Sequence, residues 1–137
     1  MSGVPRPAPL LEGLTGEFYG FLGRGELRFQ RCTDCGAWRH PPRARCRSCS
    51  SADWQWEPSS GRGRVFSWTT VHQPVHPAFT DVPYAVLVVE MGEGVRMIGG
   101  LTGIDPSGLE LDLAVAATFE PVDDALTLVR FRPEVPS

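Results

Sequence analysis

The chain has 137 residues, 42% of them hydrophobic and 21% charged, with a formal net charge of −3, and all 13 of its basic residues are arginine. That length fits one domain, or one small domain with an appendage. No apolar run approaches the ~20 residues of a membrane-spanning helix, so the sequence reads as a soluble, cytoplasmic protein. Thirteen prolines and 15 glycines predict short strands and many turns rather than long helices. The charge is divided unevenly. Positions 24–64 hold nine arginines against four acids, a net +5, and the rest of the chain carries −8. A basic ribbon on an acidic body suits a phosphate-bearing ligand or an acidic partner. It equally suits neutralisation of a negatively charged metal site.

Residues 1–9 are Pro-rich. From Leu10 to Leu22 the apolar residues recur at three- and four-residue steps, which predicts a helical segment. Thr15 is its expected cap and Glu17 its expected first-turn acid. Gly13, Gly16, Gly20 and Gly23 line a second stripe that weakens the helix unless it orders against something. Phe18, Tyr19 and Phe21 make the segment aromatic, so it is expected to pack on a partner or on the module that follows.

Glu26–Gln30 reads as a short strand entering the richest motif, RCTDCGAWRHPPRARCRSC, residues 31–49. All four cysteines lie here as two C-x-x-C pairs, Cys32/Cys35 and Cys46/Cys49, with ten residues between the pairs. Two facing C-x-x-C turns offer a tetrahedral cage of four sulfurs, the geometry of structural zinc or, as second choice, of a rubredoxin-type iron. Gly36 suits the positive φ such a turn needs. Disulfides would require an oxidising compartment, for which no leader signal is visible, and a redox motif needs only one pair. A closed four-cysteine site is expected to be structural. Pro41-Pro42 stiffens the connection between the pairs, and Trp54-Gln55-Trp56 reads as a strand returning over the metal.

Residues 58–63 (PSSGRG) mark a boundary, giving an expected division into a helical segment (1–25), a zinc ribbon (26–60) and a barrel (61–137). Beyond it the pattern has period two. Val65–Val71, Tyr84–Met91, Arg96–Leu101, Val115–Val122 and Leu126–Arg132 are five β-type runs, with hairpin signals at residues 92–94 and 123–124. Five strands with a longer interruption after the third is the layout of an OB-type Greek-key barrel. Gly99-Gly100 fits a barrel bend or bulge. His72 and His76 sit among prolines that forbid a helix aligning them, no nucleophile–base pair is visible, and the carboxylates are scattered. The fold class is therefore mainly β, and the sequence argues against an autonomous enzyme.

The order of these parts resembles the DUF35 family, OB-fold proteins with a rubredoxin-like zinc ribbon. The likeness runs from about Phe18 to Pro133. It rests on the double knuckle with its intervening Pro-Pro-Arg and on the strand GRVFSWTT, residues 63–70. The second knuckle has Arg47 and Ser50 where the family usually has Pro and Gly. The resemblance implies a non-catalytic subunit that docks on a thiolase-superfamily or lipid-transfer-protein-like enzyme, an aldolase or acyltransferase acting on acyl-CoA, as in steroid side-chain degradation. A MaoC-like hydratase is a further implied partner. Cys32, Cys35, Cys46 and Cys49 would bind Zn²⁺, Arg39, Arg43 and Arg45 would hold CoA phosphate, and Phe18, Tyr19, Phe21 and Trp38 would meet the partner. The rival reading is a single-stranded nucleic-acid binder using the ribbon, the barrel and their aromatics. The acidic barrel disfavours it, because it would repel the strand.

Overall fold

A computed structural model describes residues 9–74, 77 and 81–134. Helix α1 (Gly13–Gly23) leads into a three-stranded antiparallel sheet of β1 (Arg28–Cys32), β2 (Trp38–Arg39) and β3 (Trp54–Pro58), in the order β2-β1-β3. Strands β4 (Arg62–Val71), β5 (Tyr84–Met91), β6 (Arg96–Leu101), β7 (Ala114–Pro121) and β8 (Thr127–Pro133) follow. They close a barrel in the order β4-β5-β6-β8-β7, with β7 returning to β4 and only β6–β8 parallel. This is the five-stranded OB arrangement.

Period two in the sequence becomes inside and outside in the barrel. Along β5 the exposure alternates, with Ala85, Leu87, Val89 and Met91 buried. Val65, Leu87, Val89, Met97, Val115, Val129 and Phe131 belong to one core cluster, which continues through Leu27 and Phe29 to Phe18 and Leu22 of α1. The barrel interior is thus packed side chains, and helix, ribbon and barrel share one core.

α1 packs against β8 and β1 through Phe18 and Leu22, one helical turn apart. It ends in a Schellman arrangement: Gly25 N donates to Leu22 O, Glu26 N donates to Phe21 O, and Gly25 holds φ +75°. Its start differs from expectation. Glu12, not Thr15, is the cap residue, and it makes no side-chain cap hydrogen bond. Glu17 lies beyond the first turn and accepts from Trp56 Nε1 at 3.2 Å instead. The tertiary partner wins over the local cap. Of the glycine stripe, Gly16 alone meets a close neighbour, the Leu11 carbonyl group, where a Cβ would lie at 2.9 Å.

The first ribbon strand begins two residues later than the sequence suggested and runs into Cys32 itself. β4 begins at Arg62, three residues before the expected start, because residues 62–64 pair with β7 and residues 63–64 also pair with β5. The register of β5 against β6 passes unbroken through Gly99 and Gly100, so no bulge lies there. The irregularity is in β4, between Val65 and Ser67. Glu93 of the β5–β6 hairpin accepts from Ser59 Oγ (2.8 Å) and Ser60 N (2.9 Å), fastening the ribbon–barrel connection to the barrel. His72 is exposed, and His76 lies outside the described residues.

Candidate metal centre

Each C-x-x-C pair forms a knuckle with the same backbone pattern. In the first, Gly36 N donates to Cys32 O (3.0 Å) and Cys32 N donates to Ala37 O (2.8 Å). In the second, Ser50 N donates to Cys46 O and Cys46 N to Ser51 O, both at 2.9 Å. Gly36 has φ +79° and Ser50, in the equivalent place, φ +65°. The serine therefore adopts the left-handed conformation that glycine takes in its counterpart, and the departure from the usual glycine leaves the knuckle intact.

The four sulfurs lie within 4.8 Å of one another. Cys32 faces Cys49 and Cys35 faces Cys46, each at 3.6 Å between sulfurs. A tetrahedral metal with bonds of about 2.3 Å requires sulfurs about 3.8 Å apart, so the donor set fits such an ion. Cys32 and Cys46 are buried, whereas Cys35 and Cys49 are exposed. Backbone N–H groups favour the charged form of the two buried sulfurs. N–H groups of Cys49 and then Ser48 hold the Cys46 thiol down to about 6, and those of Cys35 and Asp34 lower Cys32. Ser48 N stands 3.4 Å from Cys46 Sγ. The two knuckles are cross-tied: Ser51 Oγ donates to the Asp34 carboxylate and accepts from Asp53 N (3.0 Å), while Thr33 N donates to Asp53 O.

One residue that the sequence did not flag organises the segment between the knuckles. Gln30, fully buried in the middle of β1, donates Nε2–H to Arg43 O (2.8 Å) and accepts from Arg43 N (2.7 Å) and from Arg39 Nε (3.1 Å). Its side chain replaces a strand for residue 43. The signal was only its place two residues before Cys32, on the same face of the strand.

The expected phosphate arginines diverge. Arg39 is buried, with its guanidinium stacked 5.6 Å from the Trp54 ring centre. As placed, it offers no free face to a solvent-borne phosphate. Arg45 is exposed and donates to Ser50 O (3.0 Å), and Arg43 is half-buried. Arg39, Arg43 and Arg47 line a groove of about 370 Å³ between ribbon and barrel, with Arg96 on its far wall. The expected partner aromatics also divide. Phe18 is buried, 4.9 Å from the His40 ring, so it serves the core. Phe21 packs edge-on to Trp56 at 5.4 Å under Arg24 and Arg28. Tyr19 and Trp38 are half-buried, with Arg31 over the Trp38 ring at 5.0 Å. His40 is enclosed by Phe18 and Phe29, and that burial pushes it down to about 4.

Two adjoining family models match the chain. The ChsH2 rubredoxin-like zinc ribbon domain covers residues 21–55 and the ChsH2 C-terminal OB-fold domain residues 56–120. A DUF35 domain-containing scaffold protein of Methanothermobacter thermautotrophicus is 30% identical over 72% of this chain and 75% of its own length. The chain belongs to the DUF35 family. A solved DUF35 chain, described as Ltp2-ChsH2(DUF35) aldolase, matches with a TM-score of 0.84 and 38% identity, over 95% of this chain and all of that one. A probable enoyl-CoA hydratase alpha subunit of Thermomonospora curvata is 38% identical over 96% of this chain. This chain spans only 41% of that relative's length, so the DUF35 part is one portion of a larger protein there.

Proposed function

We propose that this DUF35 chain is a non-catalytic accessory subunit that docks on a thiolase-like enzyme, an aldolase or acyltransferase, and helps it hold an acyl-CoA. The observation that carries this reading is the 38% identity and TM-score of 0.84 to the DUF35 chain described with Ltp2 in an aldolase. The steroid side chain as substrate rests on likeness to a 3-oxo-4,17-pregnadiene-20-carboxyl-CoA hydratase alpha subunit of Mycobacterium tuberculosis, 41% identical over 77% of this chain and 33% of its own length. A MaoC-like hydratase as second partner rests on the two hydratase alpha subunit names. The ion held by Cys32, Cys35, Cys46 and Cys49 is Zn²⁺, whose role is to cross-link the two knuckles. The cytoplasm, which keeps thiols reduced, is the compartment that suits it. Arg43 and Arg45 supply guanidinium groups for CoA phosphate, since a planar fork donates bidentately. Tyr19 and Trp38 retain exposed ring surface for the partner, with Phe21 beside them.

The test is a pull-down of the tagged chain from its host lysate, with identification of stoichiometric partners. A thiolase-like protein is the expected companion, and the pair then binds acyl-CoA more tightly than either alone. Recovery of the chain by itself, or with nucleic acid, overturns the reading.

A further inference from the structure

The guanidinium of Arg39 has an unusual position for a charged group. The residue is 8% exposed, and among the described residues neither Nη1 nor Nη2 has a hydrogen-bond partner, while Nε is bonded to Gln30. A buried cation needs an anion. The four carboxylates of the surrounding segment are engaged elsewhere or turned outward. Glu26 holds Arg24 and Arg28, and Glu57 holds Arg31. Asp34 accepts from Ser51, and Asp53 is exposed on its loop. A solvent anion is also a poor answer, because the two nitrogens are sealed from water.

Glu90, which lines the same groove as Arg39, is paired with Arg96 across the barrel hairpin. Among the described residues, the negative charge left on the ribbon side is the metal centre. Four thiolates around a divalent ion carry −2. The strand register brings Arg39 to it: Arg39 pairs with Gln30, and Cys32 follows two residues along β1 on the same face. Trp54 is the partner of Cys32 across β1–β3, and the Arg39 guanidinium lies over the Trp54 ring. Arg39 also shares a groove wall with Cys46, so it stands on the side of the two buried sulfurs. We infer that Arg39 is the internal counter-charge of the four-thiolate centre, a positioning residue that holds the metal by charge. The inference depends on the metal occupancy proposed above. It assigns Arg39 to the protein's own anion and leaves external phosphate to the outer arginines.

The experiment uses the purified full chain. Zinc content of the unaltered protein is measured first; a metal-free chain would sink the occupancy itself, separately from the role of Arg39. Zinc affinity is then measured by chelator competition for Arg39→Met, Arg39→Gln and Arg39→Lys, with the exposed Arg132→Met as a control for net charge. The neutral variants are expected to bind zinc at least tenfold more weakly, the lysine variant within about threefold of the parent, and the control unchanged. Iron-loaded protein gives a readout that packing alone would not move. Loss of a buried positive charge disfavours the more negative ferrous centre, so the midpoint falls, by about 59 mV for a tenfold effect. Zinc affinity within twofold of the parent in both neutral variants overturns the inference, as does a lysine variant as weak as the methionine one.

Discussion

Gly99 and Phe131 divide a single volume inside the barrel. A Cβ on Gly99 would lie 2.7 Å from Cε2 and 2.9 Å from Cδ2 of the Phe131 ring, which is fully buried. Gly99→Ala should therefore destabilise the protein by about 1–3 kcal/mol through overpacking. Combining it with Phe131→Leu should lose less than the sum of the single changes, measured by denaturant unfolding. Additive losses would show that the two residues do not compete for space.

The second knuckle offers a stabilising change. Ser50 holds φ +65°, a conformation that costs a non-glycine residue on the order of 1–2 kcal/mol. Ser50→Gly relieves that strain but loosens the unfolded chain, for a net gain of about 0.5–1 kcal/mol. Gly36→Ala has room, with its nearest neighbour at 3.8 Å, yet incurs the same strain in reverse. Opposite shifts in melting temperature are the expected pair of results.

Gln30 should be intolerant of change. Gln30→Leu keeps the volume but leaves the N–H and C=O of Arg43 and the Nε–H of Arg39 without their partner. Buried groups left unpaired cost about 1–3 kcal/mol each. A loss of roughly 3 kcal/mol or more in unfolding free energy is expected, together with faster zinc release to a chelator. A loss below about 1 kcal/mol would show that water replaces the amide.

Metal removal should be felt in the tryptophans. Trp54 and Trp56 meet edge to face at 5.2 Å on the strand that pairs with Cys32. Binding free energy at such a site is folding free energy, so Cys46→Ser or chelation should abolish the ribbon's cooperative melting. Near-ultraviolet circular dichroism reports the collapse of the indole pair. A native signal in Cys46→Ser with full metal content would contradict the four-cysteine assignment.

His40 makes stability depend on pH. Burial between Phe18 and Phe29 lowers its pKa from 6.5 to about 4. Between those values the unfolded chain holds the proton and the folded chain does not. The stabilisation is thus complete above pH 6.5 and is lost as the pH falls toward 4, by about 3 kcal/mol at most. His40→Phe, which has no proton to take, should gain on the parent steadily over that interval. Parallel stability curves for the two proteins would refute this, and thiolate protonation cancels in the comparison.

Much of this molecule was legible in the chain because its signals are local. The C-x-x-C spacing determines where four sulfurs can converge, and the alternation of residues 84–91 determines which side chains enter a core. Hairpin glycines and aspartates mark where strands reverse, so the five-strand order and the ribbon followed from the residues alone. What the chain could not display is distance between remote positions. Thr15 has a good capping side chain, yet packing of Phe18 and Leu22 sets where the helix begins, and Trp56 takes Glu17 away from the helix end. Gly99 reads as a bend until the Phe131 ring arrives from a strand far along the chain. Gln30 looks like an ordinary polar residue of a solvated strand, and Arg39 like one more surface arginine offered to a phosphate. Only the closing of the ribbon over them, which removes water and leaves each group to find a partner inside, makes one the clasp of the knuckle loop and the other a buried charge beside the thiolates.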